Sequence, residues 1–206
     1  IGLVELATSA ETATGTDDTR AVTPASLLGR TSTTSRTGLV ELATLAEYLA
    51  GTDATLAVTP SLVSASPAFV VTGSGATAQT LANDAMTQIT AWGTPSVNRG
   101  FTSWSGGALT IATAGLYRID FLYGITSGSF TVGRMLLRVP KNSTSPTAAN
   151  SAVGGPGYGQ NGAFISGLAR LAAGDVLRFY GQQSTGESRN SENNELMRAS
   201  VMWMSA

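Results

Sequence analysis

Two patterns of apolar and polar residues divide the chain. Up to about residue 66 the large apolar side chains come in short clusters. Leu3, Val4 and Leu6 form one, and Leu39, Val40 and Leu42 another, with runs of Thr, Ala, Ser and Asp between them. From Ile89 onward the pattern becomes short apolar stretches separated by turn residues every 8–12 positions, the mark of consecutive strands. The clear predicted strands are 108–113, 115–125, 129–139, 162–171, 175–182 and 196–204, with weaker ones at 89–92 and 100–104. Period-two alternation places Met135, Leu137 and Val139 on one face, and Val201 with Trp203 on another. Leu116, Ile119 and Phe121 break that period, which predicts a bulge or a strand buried on both faces. About eight short strands in this stretch predict a two-sheet sandwich or jelly roll. Residues 67–88, rich in small side chains, are expected to be a linker or neck with one short strand at 68–72.

The first third is a duplication. Gly2–Pro24 and Gly38–Pro60 share 17 of 23 residues at an offset of 36. Each copy begins with an apolar cluster that predicts a short strand. Thr8 with Glu11, and Thr44 with Glu47, have the spacing of a capping box, in which the hydroxyl accepts from the N3 amide and the carboxylate reaches back. A short helix follows and ends at Gly15 or Gly51. The threonine before Pro24 or Pro60 is held extended, and each proline suits the first turn of a further helix. Two such units hold too few large apolar residues to close a core alone, so several identical chains are expected to share one.

The pattern "GLVELAT.AE...GTD.T.AVTP..L", present at 2–27 and 38–62, resembles the repeat of bacteriophage tail fibres. Those fibres are homotrimers, and the resemblance implies a trimeric shaft over residues 1–66. The second half carries another resemblance. "GGALTIATAGLYRIDF", "SGLARLAAGDVLRFY" and a closing "RASVMWM" are similar to the trimeric jelly roll of tumour necrosis factor and complement-type globular heads. The carriers are Gly115-Leu116-Tyr117, Leu171, Gly174-Asp175-Val176 and Val201 to Met204. The fold expected is therefore mainly β: trimeric fibre repeats, then a jelly-roll head over 89–206.

Composition narrows the function. Only 12% of residues are charged, about half the usual share, so part of the surface is expected to be covered by other subunits. A net charge of −1 with one Lys and eleven scattered Arg argues against nucleic acid, which needs clustered cations. No apolar run approaches the roughly 20 residues that span a bilayer as a helix. The chain contains no His and no Cys, which removes the commonest general base, the commonest zinc ligand and thiol chemistry. Paired carboxylates for glycan hydrolysis would have to come from Asp84, Asp120, Asp175, Glu187, Glu192 and Glu195. Asp175 belongs to a turn, and Asp120 shares a face with Arg118, where an ion pair is expected. No enzyme, cofactor or metal is expected, although "NSENNE" (190–195) offers oxygen ligands of the kind calcium takes.

Two polar loops stand out for recognition, 141–161 and 182–195. Amide and hydroxyl groups match sugar hydroxyls, and an aromatic face suits the apolar side of a sugar ring. The candidate ligand-binding residues are Trp104, Tyr158, Gln160, Asn161, Gln183, Arg189, Asn190 and Asn193. The expected function is that of a phage tail fibre on the virion, a homotrimer attaching to a bacterial surface glycan or other host receptor without covalent chemistry. The chain begins at Ile1, in mid-motif and without Met, so further sequence is expected before it, joining other virion tail proteins. Two alternatives share these features: a purely structural virion fibre of collar, baseplate or head decoration, and a polysaccharide depolymerase.

Overall fold

The computed structural model describes residues 3–30, 32, 39–126, 134–145, 151–157 and 162–206. The chain divides into two units, Ile1–Ser64 and Ala65–Ala206.

In the first unit each repeat contributes two short helices, α1 (Ser9–Thr14) and α2 (Pro24–Leu28), then α3 (Leu45–Ala50) and α4 (Pro60–Ser64). The Thr8 and Thr44 side chains cap α1 and α3, with Glu11 and Glu47 closing the boxes. Gly15 and Gly51 end the same helices at φ 67° and 62°, where a Cβ would be strained. The expected strand shrinks to single parallel bridges, Leu6 with Ala21 and Leu42 with Ala57. Only Ala7 is a buried apolar residue among the described residues of this unit. Among those residues, no neighbouring strand extends the pairing.

The second unit carries fourteen strands among the described residues. They are β1 (Ala68–Thr72), β2 (Thr80–Leu81), β3 (Thr87–Gln88), β4 (Val97–Arg99), β5 (Phe101–Ser105), β6 (Ala108–Ile111) and β7 (Gly115–Gly124). There follow β8 (Met135–Pro140), β9 (Ser151–Gly157), β10 (Gly162–Leu171), β11 (Val176–Arg178), β12 (Tyr180–Gln183), β13 (Arg189–Asn190) and β14 (Arg198–Ser205). A five-stranded sheet has the order β10-β7-β14-β1-β4; the others are β11-β6-β5, β3-β12-β8-β9 and β13-β2. Every pairing between these strands is antiparallel. One core runs between the sheets. Phe69, Tyr117, Ile119 and Phe121 from the large sheet meet Leu109, Leu137 and Leu177 from the others and Phe179 from between β11 and β12, with Phe121 and Phe179 ring centroids 5.3 Å apart.

Two expectations are corrected and one is made specific. Residues 67–88 are not a linker: β1 lies inside the five-stranded sheet, with Ala68 opposite Met202 on one side and Arg99 on the other. Phe69 and Val71 are fully buried, and it is this long-range pairing that buries them. In β7, Tyr117, Ile119, Phe121 and Tyr123 face the core while Asp120 and Gly124 are also buried on the other face; the bulge lies in the paired strand β14, between Trp203 and Ser205, opposite Tyr117 and Leu116. Residues 89–92 form no strand, because Ile89 and Trp92 serve as core side chains on an irregular segment.

Candidate functional site

Of the two polar candidate loops, 182–195 is described throughout, whereas in 141–161 the described residues are 141–145 and the strand β9. Gln183, at the end of β12, is fully buried (0% exposed). Its amide nitrogen donates to the carbonyls of Leu81 and Glu187 at 3.2 and 2.8 Å. Its oxygen accepts from the N–H and hydroxyl of Thr185 at 2.9 and 2.7 Å. All four hydrogen-bonding positions of the amide are thereby used, which is what allows it to be dry. Arg189 turns back onto the Glu187 carboxylate and onto the Thr185 hydroxyl. Asn190, exposed on β13, accepts from the Thr80 hydroxyl at 2.7 Å.

A second segment, 79–84, braces this loop. Its strand β2 pairs with β13, the Asn83 side chain accepts from the Gly186 N–H at 2.8 Å, and Gln182 donates to the Asp84 carbonyl at 2.8 Å. Asp84 sits at φ 57°, a left-handed conformation that Asp and Asn tolerate better than other side chains. The adjacent Asn83-Asp84 pair was the sequence signal for a tight turn here, overlooked because the segment read as linker. Past Asn190, Asn194 links to the Glu192 carboxylate and accepts from Leu196 N–H, while Asn193 is exposed.

The expected site residues therefore fall into three groups. Gln183, Arg189 and Asn190 come together, with Asn193 in the turn that follows. Of these, Gln183 is withdrawn from any ligand: it is the buried staple of the loop. Trp104 is set apart from the loop and packs among aromatic rings, 4.9 Å from Phe69 and 6.1 Å from Trp92 by ring centroid, so its ring supports the core instead of offering a stacking face. Tyr158, Gln160 and Asn161 lie outside the described residues.

Two carboxylates elsewhere are held by neighbouring groups. Asp120 is nearly buried on the face of β7 turned away from the core. Arg118 Nε lies 3.1 Å from both its oxygens, and the hydroxyls of Ser166 and Ser200 donate to it from the strands on either side. Asp175 accepts from the Ala172 N–H at 2.8 Å and from the Asn142 amide, with Lys141 Nζ at 3.5 Å. Burial opposes its ionisation, but these three partners outweigh burial and hold its pKa below the ordinary aspartate value. Among the described residues, no three His, Cys, Asp or Glu side chains gather closely enough to hold a metal ion. What the loop offers is an array of amide, hydroxyl and carboxylate groups on a braced backbone, with Gln183, Arg189 and Asn190 all engaged within it or with the bracing segment.

No protein-family model and no curated protein matches the chain. Among solved structures it is similar to murine APRIL, with a TM-score of 0.50 at 11% identity over 67% of this chain and 98% of that one. The second unit has the jelly-roll fold of the tumour necrosis factor family. A further similar structure is Eiger TNF from S. frugiperda, with a TM-score of 0.48 at 15% identity over 68% of this chain and 94% of that one. At such identities the likeness is one of fold.

Proposed function

We propose that this chain is part of a homotrimeric phage tail fibre, a shaft of two repeats followed by an adhesive jelly-roll head that binds a bacterial surface glycan. The observation that carries the reading is the apolar surface of the first unit. Among the described residues, twelve large apolar side chains between Leu3 and Val63 stand exposed there, far more than a solitary soluble domain tolerates. Copies of the same repeat wound together would cover them. The fibre-type repeat motif and the jelly-roll head agree with threefold assembly.

The head adds a second uncovered surface. On the outward face of the five-stranded sheet, Phe164, Leu168 and Met202 are 52%, 60% and 36% exposed. Arg118 lies between Leu168 and Met202 in register. An apolar band with one charged pair in it suits contact with another copy better than contact with sugar. The glycan site is placed instead on the 182–195 loop, through Arg189, Asn190 and Asn193, with Tyr158, Gln160 and Asn161 as further candidates. Binding is non-covalent: the chain has no His or Cys, and Asp120 and Asp175 are both committed to internal hydrogen bonds. Weak sites on three heads act by avidity, which multiplies affinity by about 10² to 10⁴ when linker geometry permits.

The internal engagement of Gln183 and Arg189 favours one rival, a structural fibre whose head is a cap. Two measurements on the full chain decide. Native mass or light scattering should give a trimer. Fluorescently labelled chain should be retained on host cells and competed by host surface polysaccharide. A trimer that no host cell retains supports the cap, and shortening of the polysaccharide would mean a depolymerase.

A further inference from the structure

The two units carry opposite charge. Ile1–Ser64 holds seven acidic and three basic side chains, and Ala65–Ala206 holds six acidic and nine basic ones. Three of the six carboxylates in the second unit are matched by cations: Asp120 by Arg118, Asp175 by Lys141 and Glu187 by Arg189. The strands of the four-stranded sheet, β3, β12, β8 and β9, contain no Asp or Glu, and neither do β11, β6 and β5.

Three of the other arginines share one face. Met135, Leu137, Val139, Leu177 and Phe179 are buried in the core, so alternation turns Leu136, Arg138 and Arg178 to the opposite, outward side. Arg138 lies opposite Tyr180, and Lys141 lies opposite Leu177 in the same register. That register sets Arg178 diagonally from Arg138, a relationship of about 7–8 Å between neighbouring strands. Arg134 is exposed one residue before β8. Its carbonyl accepts from the Ser184 N–H at 3.0 Å and its own N–H donates to Ser184 Oγ at 3.2 Å, so the stripe runs on to the edge of the 182–195 loop. Tyr180 is a covered spacer, its hydroxyl donating to the Thr144 carbonyl at 2.9 Å. Arg178 donates to the Ser143 carbonyl at 3.5 Å, a neutral partner that leaves the positive charge in place. The acid nearest to Arg178 in sequence, Asp175, is committed to Ala172, Asn142 and Lys141. Arg138 and Arg178 are both half-buried, where like charges repel and an anion between them relieves the repulsion.

We propose that the stripe formed by Arg134, Arg138 and Arg178 is a binding surface for an acidic polysaccharide, one that carries carboxylate or phosphate groups along its chain. The inference rests on the adhesive-head reading above and deepens it by naming the class of host glycan. Charge complementarity selects an anionic partner. An extended glycan lying along the strands meets the arginines in series, and each guanidinium fork suits the oxygens of a carboxylate or phosphate. A broad sheet face does not enter a duplex groove as a helix or a two-stranded ribbon does, so nucleic acid fits the stripe less well.

The test uses the full chain and labelled polygalacturonate, a uronic acid polymer, with labelled dextran as the neutral comparison, and reads binding by fluorescence anisotropy at low and high salt. Polygalacturonate binds, and its affinity falls steeply as salt rises; dextran binds at least about tenfold more weakly. Arg134→Gln with Arg178→Gln reduces the affinity for polygalacturonate about tenfold or more and flattens its salt dependence. Arg198→Gln, at an exposed position on β14 of the other sheet, changes neither. An equal loss from Arg198→Gln would mean that diffuse net charge does the binding, and it overturns the proposal. So does dextran or duplex DNA that binds as tightly as polygalacturonate. Circular dichroism of each variant separates loss of contact from loss of fold, and Arg134→Gln alone, at an exposed position, gives a smaller loss of the same sign if the double variant misfolds. Host-cell retention separates this inference from the reading it rests on. Wild type and stripe variants retained alike means that the host glycan is read elsewhere, which overturns the inference while the adhesive head stands. A wild-type chain that binds polygalacturonate but that no host cell retains removes the adhesive reading and leaves the stripe as an acidic-polysaccharide site.

Discussion

Arg118 and Asp120 meet on the outward face of β7, the guanidinium Nε 3.1 Å from each carboxylate oxygen. Asp120 is the better buried partner and is held from both flanks by Ser166 and Ser200. Removing its acceptors strands two hydroxyls and an arginine. Asp120→Ala is therefore expected to destabilise the head by about 1–3 kcal/mol, seen as a lower urea midpoint at unchanged slope. Asp120→Asn recovers part of the loss, because an amide oxygen still accepts from the serines. An Asp120→Ala chain as stable as wild type would show the cluster to be energetically idle.

The apolar band around that pair predicts a separation of assembly from folding. Phe164→Asp and Leu168→Asp put charge on exposed positions, so the head should keep its melting temperature within a few degrees. Subunit association should weaken by about tenfold or more, measured by sedimentation across a dilution series. Unchanged association would mean that this face stays wet in the assembly.

Gln183 yields a prediction about local order. Gln183→Leu is close in size but leaves the Leu81 and Glu187 carbonyls and the Thr185 N–H without their partner. A cost of about 1–3 kcal/mol is expected, with amide hydrogen exchange accelerated first in 184–190. If the loop is the adhesive surface, cell retention falls along with loop protection.

Asp175 sets an acid limit. Its folded pKa lies below its unfolded value of about 3.9, so its contribution is present above that pH and is lost as pH falls through the folded pKa. Asp175→Asn should lower the melting temperature of the head at pH 7, and the gap to wild type should narrow towards pH 2. A gap independent of pH would mean that the charge of Asp175 plays no part.

How far the sequence revealed this arrangement depended on how local the cause was. The caps at Thr8 and Thr44 were legible because four consecutive residues contain the whole interaction. The alternation of Met135, Leu137 and Val139 was legible because one strand displays it. The ion pair of Arg118 and Asp120 followed from their spacing of two. The membership of β1 in the large sheet was not legible, since its partners Met202 and Arg99 are distant in sequence and its own residues look like any short apolar run. Nor was the burial of Gln183, whose polar neighbours in sequence suggested exposure; its fourfold satisfaction depends on Leu81, about a hundred positions earlier.

The interior position of β1 bears on how this protein can be divided in the laboratory. A gene cut at Ile89, where the strand-rich pattern begins, would delete an inside strand, leaving β14 and β4 with unpaired backbone along their shared side. Such a fragment would be prone to stick to its own kind by edge pairing. A fragment starting at Ala65 keeps that strand.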